Sequence, residues 1–146
     1  MPQPNNNYPD RPRVAVGAIV FKGNEVLLVR RANPPSPDVW AIPGGNVQLG
    51  ESLQQAAERE ILEETAIRIH AGAPVFTFDF IERDNAGRVK FHYVIVDLMA
   101  EYLDGEPQPG DDAADARWVS SEAIKSLKVS AMTLKLLETQ FGFGEE

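Results

Sequence analysis

Residues 45–67, GNVQLGESLQQAAEREILEETAI, constrain this chain more than any other stretch. Ser52-Leu53-Gln54-Gln55 is a capping-box pattern, in which a serine hydroxyl and a glutamine side chain satisfy backbone donors reciprocally. The spacing predicts a helix over Leu53–Thr65. Between positions 51 and 64 stand Glu51, Glu58, Glu60, Glu63 and Glu64 against a single arginine, Arg59. At about 100° per residue, Glu60, Glu63 and Glu64 share an arc roughly 100° wide, and Leu53, Ala56 and Ala57 fall close to it. Such a face is expected to turn toward a sheet, with its carboxylates converging on one point. The neighbouring like charges cost a few tenths of a kcal/mol each in an isolated helix. A hard divalent cation held by carboxylate oxygens reverses that sign. The bland alternative is a solvated acidic face.

The segments around this helix read as strands. Residues 14–21 and 25–30 are apolar, β-branched runs flanking Lys22-Gly23-Asn24, a hairpin signature. The proline-rich 33–37 stretch and Pro43-Gly44-Gly45 interrupt regular structure and predict a loop-rich rim. Two further strand runs, 75–81 and 89–99, flank a turn at Asp84-Asn85-Ala86-Gly87, and residues 116–119 make a short strand. Helices are expected over 120–127 and 130–141, each opened by a serine. The first dozen residues, with Pro2, Pro4, Pro9 and Pro12, read as a flexible N-terminal arm, followed by a single domain over 13–146. The fold class is α/β with a mixed or largely antiparallel sheet.

Composition narrows the chemistry. The chain has no cysteine and two histidines, so any metal is held mainly by oxygen. With 14 Lys+Arg against 22 Asp+Glu, the formal charge of −8 disfavours long nucleic acid as a ligand. No apolar run approaches the ~20 residues of a membrane span, and the Pro/Asn-rich start differs from a signal peptide, so a cytoplasmic location with no membrane partner is expected.

Taken with its spacing, Gly45, five residues, Glu51, seven residues, then Arg59-Glu60-Ile61-Leu62-Glu63-Glu64-Thr65-Ala66-Ile67 resembles the Nudix box, GX5EX7REUXEEXGU, where U is a bulky aliphatic residue. One position departs: Ala66 stands where the pattern has its second glycine, which is expected to alter the loop after the helix without removing a ligand. The resemblance covers roughly residues 13–137. It implies the Nudix α/β/α sandwich with a mixed β-sheet, and hydrolysis of a nucleoside diphosphate linked to another moiety by water attack on phosphorus with Mg²⁺ or Mn²⁺.

On that resemblance Glu60 and Glu64 are the main metal ligands, Glu63 is a ligand or proton acceptor, and Gly45 and Glu51 complete the set. Arg59 joins Glu60, Glu63 and Asp112 among the residues of the catalytic centre, as the group that holds the carboxylates in register. The family draws a further acid from a loop near the last strand, and Asp112 or Asp115 could fill it. Arg30 and Arg31 end the second strand and are expected to bind substrate phosphate, with surface exposure as the alternative. Phe76, Phe78, Phe80, Phe91 and Tyr93 alternate as strand packing, one of them available to stack on a base, and His92 reads as a strand residue. The wider sequence is similar to bacterial ADP-ribose pyrophosphatases, yielding AMP and ribose 5-phosphate. A MutT-type pyrophosphatase acting on a (d)NTP or 8-oxo-dGTP is the second reading, and a non-catalytic nucleotide-binding module the third. The partner is a small-molecule nucleotide, and the family allows a homodimer.

Overall fold

In the computed structural model, which describes residues 8–33 and 37–143, the order is β1 (Arg13–Lys22), β2 (Glu25–Arg31), β3 (Trp40–Ala41), β4 (Gly44–Asn46), α1 (Leu53–Thr65), β5 (Arg68–Arg83), β6 (Val89–Asp104), β7 (Ala113–Ser120), a 3-10 turn (Ala123–Ser126) and α2 (Ala131–Phe141). Residues 1–7 of the expected arm and most of the proline-rich 33–37 stretch lie outside the described residues. From the remainder of the arm, the Tyr8 hydroxyl donates to Asp84 at 3.0 Å.

β1 and β2 form the expected hairpin but pair only beside the turn, Phe21 with Val26 and Lys22 with Glu25. Beyond it they diverge. β1 runs parallel to β6 along Arg13 to Phe21 and takes β4 on its other edge at Ala15 to Gly17. β2 pairs instead with β7 and with the two residues of β3, all antiparallel. The sheet is therefore mixed, in the order β3-β2-β1-β6-β5, and splayed open between β1 and β2.

Strand alternation sends successive residues to opposite faces. Val16, Ala18, Val20 and Leu27 point to one side and pack with Ala56, Ala57 and Ile61 of α1. Ile19, Val26 and Leu28 point to the other and pack with Leu136 and Leu137 of α2. One helix on each face makes the α/β/α sandwich that the Nudix resemblance implies. No helix among the described residues is long and apolar enough to cross a membrane.

One helix differs from expectation. Residues 120–127 form the end of β7 and a 3-10 turn, because the chain beyond Leu127 is drawn into extended pairing with β3. Trp40 N donates to the Lys128 carbonyl at 2.8 Å, and Ser130 N to the Trp40 carbonyl at 2.9 Å. The local serine cap forms, with Ala123 N donating to Ser120 Oγ at 3.0 Å, but the non-local ladder stops the helix from propagating.

Candidate active site

The capping box starts α1 as its sequence requires: Ser52 Oγ accepts from Gln55 N at 3.0 Å, and Ser52 N donates to Gln55 Oε1 at 2.9 Å. Buried Ala56, Ala57 and Ile61 seat the helix on the sheet. Its flank is tied to the chain around β5, with Ala71 N donating to Glu58 Oε2 at 2.9 Å and Gln54 Nε2 to the Gly72 carbonyl at 3.1 Å. The acidic arc thereby faces β4 and the gap between the splayed strands.

Glu64 is 4% exposed, and its Oε1 accepts from Gly44 N at 3.0 Å. Burial pushes its carboxyl up to about 7, against the opposing pull of the Gly44 amide and of Arg31. Burial also raises Glu60, opposed by Arg59 and reinforced by the negative charges of Glu63 and Asp111. The Arg59 guanidinium spans the site. It donates to Glu51 at 2.6 and 2.9 Å, to Glu60 at 2.9 Å, to Glu63 at 3.2 Å and to the Asn46 carbonyl at 3.0 Å. Glu51, which also accepts from Gln48 N at 2.9 Å, is held down at about 2 by these bonds, the one to Arg59 foremost. At Gly45 a side chain is impossible without movement, since a β-carbon would run into the Glu60 carboxylate.

Beside the expected candidates Asp112 and Asp115, the loop before β7 brings a further acid, Asp111, to the site. Gln108 N donates to the Thr65 carbonyl at 2.9 Å and Gly110 N to the Glu64 carbonyl at 3.0 Å. These bonds strap the loop before β7 onto the C-terminal end of α1, using carbonyls a helix leaves free. Asp111, with φ 50°, is thereby delivered to α1, and carboxylate oxygens of Glu60, Glu63 and Asp111 lie within 4.8 Å of one another. Asp112 instead accepts from Asn33 Nδ2 at 3.0 Å, while still lining the cleft. Asp115 pairs with Arg117 at 3.0 Å. Convergence on the helix is also narrower than expected, because Glu64 turns to the Gly44 amide while Glu60 and Glu63 meet Asp111. The donors are all carboxylate oxygens beside a residue lacking Cβ, a set that fits a hard divalent cation.

The two arginines separate as adjacent strand residues must. Arg31 lines the cleft near Glu64, whereas Arg30 pairs outward with Asp38 at 3.2 Å and is absent from the lining. The cleft holds about 640 Å³ and is lined by Glu60, Glu64 and Asp111 together with Phe78, Phe80, Tyr93 and Asp97. Phe76 packs against the α2-side core and Phe91 lies away from the cleft. Asp97 and Thr133 are cleft residues that sequence reasoning missed. Asp97 had a visible signal, a lone acid inside the apolar run Val94-Ile95-Val96-Asp97-Leu98-Met99.

A family model for the NUDIX domain matches residues 11–139. The chain belongs to the NUDIX family. An ADP-ribose pyrophosphatase of Methanocaldococcus jannaschii is 35% identical over 116 residues, covering 80% of this chain and 66% of the relative. The NAD-capped RNA hydrolase NudC of Pseudomonas aeruginosa is 34% identical over 119 residues, covering 80% of this chain and 40% of the relative. This chain thus spans about two thirds of the first relative's length and two fifths of the second's. Among solved structures, a MutT NUDIX hydrolase from Burkholderia pseudomallei superposes with a TM-score of 0.76 at 27% identity, covering 88% of this chain and 98% of that one. The NUDIX sandwich accounts for both helices and the mixed sheet.

Proposed function

We propose that this NUDIX domain, as one unit over residues 13–146, hydrolyses the pyrophosphate of ADP-ribose to AMP and ribose 5-phosphate. The observation that carries the reading is the juxtaposition of the Glu60–Glu63–Asp111 oxygens with the aromatic rings of Phe78, Phe80 and Tyr93 along one cleft of about 640 Å³. The 35% identity to an ADP-ribose pyrophosphatase supports the choice of substrate.

Glu60 and Glu64, with Glu63, Asp111, Glu51 and the Gly45 carbonyl around them, would hold Mg²⁺ or Mn²⁺. When bound, such an ion supplies charge screening for the pyrophosphate and acidifies the attacking water. Arg31 faces the same cleft and donates to phosphate oxygens as a fork. The water oxygen forms a bond to one phosphorus, the P–O bond to the bridging oxygen breaks, and the second phosphate leaves carrying that oxygen. Glu63 accepts the proton released by the water, and Asp112, also on the cleft, is the second acid suited to that role. Arg59 touches neither water nor phosphate; it holds Glu51, Glu60 and Glu63 in register.

The purified protein with Mg²⁺ is assayed by chromatography against ADP-ribose, NADH, (d)NTPs and 8-oxo-dGTP. AMP and ribose 5-phosphate from ADP-ribose as the preferred substrate is the expected result. A triphosphate turned over faster, with pyrophosphate released, replaces it with the MutT-type reading that the Burkholderia structure's name favours. No turnover with either Mg²⁺ or Mn²⁺ leaves a nucleotide-binding module.

A further inference from the structure

The cleft contains a carboxyl group that takes no part in the acidic cluster of Glu60, Glu63 and Asp111. Asp97 lies in the middle of β6 and is 5% exposed. No side-chain hydrogen bond or ion pair reaches it among the described residues, and its carboxylate oxygens are not among the fully buried unpartnered atoms, so they stay open to the cleft that Asp97 lines. Burial alone pushes it up to about 7.

Its surroundings point it into the cleft. Asp97 pairs with Gly17 on β1, and a β-carbon at Gly17 would collide with Asp97 Oδ1, so the space that strand alternation would fill is kept for the carboxyl. Along β6, Ile95 and Tyr93 share its face, and Phe78 stands opposite Ile95 on β5. Thr133 at the start of α2 lines the same space. The result is an apolar and aromatic slot with one buried acceptor at its floor, across β1 from Gly44, whose amide holds Glu64.

A flat aromatic ligand with an N–H on its edge fits these two properties together. The rings and aliphatic side chains accept a π-face, and the carboxyl oxygen accepts the edge donor that would otherwise be missing. We infer that Asp97 is a specificity-determining residue that selects a purine nucleotide bearing an exocyclic amino group, by accepting a hydrogen bond from that group. The inference rests on the cleft being the nucleotide site of the proposed function and names the group that reads the base. Adenine and guanine both carry such an amino group and hypoxanthine carries none.

The probes are AMP, GMP and IMP, with affinities measured by calorimetry on the full chain without catalysis. Wild-type protein is expected to bind AMP or GMP about tenfold or more tighter than IMP. AMP as the tighter of the two identifies the N6 amino group as the ligand, and GMP the N2 amino group. Asp97→Ala is expected to bring the ratio of the preferred nucleotide to IMP close to one. Asp97→Asn, which keeps an acceptor oxygen in the same place, is expected to restore most of it. Thermal melts of each variant establish that the protein is folded. Equal binding of all three nucleotides by the wild type, or an unchanged ratio in folded Asp97→Ala, overturns the inference. Selection of an amino purine through Asp97 without ADP-ribose turnover would overturn the proposed function and leave this inference standing. Turnover of ADP-ribose with no effect of Asp97 on the ratio would do the reverse.

Discussion

Arg59 shows how one residue can hold several carboxylates in place, and in the proposed function it takes no part in the chemistry. Five N–H donors in a planar fork reach three carboxylates and a carbonyl at once, which the compact ammonium of lysine does not match. Arg59→Lys is therefore expected to lower kcat by about tenfold to a hundredfold, with the far-UV spectrum unchanged and KM little altered. Glu60→Gln and Glu64→Gln should cost more, several orders of magnitude in kcat/KM, and a variant with normal turnover would remove these residues from the metal site. Asp97 makes a prediction of the opposite sign for stability. Its carboxyl is raised from 3.8 to about 7 in the folded protein, so the folded state binds the proton more tightly than the unfolded state. Stability from this group is complete below about pH 4 and is lost as pH rises to about 7. Asp97→Asn, which cannot ionise, should match wild type at pH 4 in urea unfolding and exceed it at pH 8, by up to about 4 kcal/mol.

Among the elements, α1 was the most legible and the loop before β7 the least. The capping box, the buried alanines and the acidic arc of α1 all follow from spacing within thirteen residues. At its C-terminal end the sequence departure at Ala66 was expected to alter the loop. The backbone there takes a left-handed turn, with φ 64° and Ala66 N donating to the Leu62 carbonyl at 2.9 Å. A residue with a β-carbon is strained there by about 1 kcal/mol, so Ala66→Gly should raise the melting temperature by roughly 2 to 4 °C. An unchanged or lower temperature would show that the turn is relaxed with alanine. The expected helix over 120–127 failed for a different reason. Its serine cap is local information, and the pairing of residues 128–130 with Trp40 is not.

At the scale of the whole molecule, a formal charge of −8 meets an acidic cluster inside a cleft that is proposed to receive a polyphosphate. A divalent cation bound only by the folded state stabilises it by mass action, about 2.7 kcal/mol at a hundred times the dissociation constant. Mg²⁺ should raise the melting temperature well beyond NaCl at equal ionic strength, and Glu60→Gln combined with Glu64→Gln should abolish the difference. The sequence by itself determined the elements that carry local spacing: the α1 helix with Arg59, Glu60, Glu63 and Glu64 on it, the β1–β2 hairpin, and the apolar alternation that buries one helix on each face. Only the tertiary structure decided that Asp111 rather than Asp112 or Asp115 meets Glu60, that Arg31 rather than Arg30 enters the cleft, and that Asp97 lines it. Each of those outcomes depends on closure between distant segments: β6 laid parallel to β1, the loop before β7 strapped to the free carbonyls of α1, and β2 diverging from β1 toward β7. Residue spacing encodes neighbours along a helix or strand, whereas closure of this kind is settled by how the packed faces fit together.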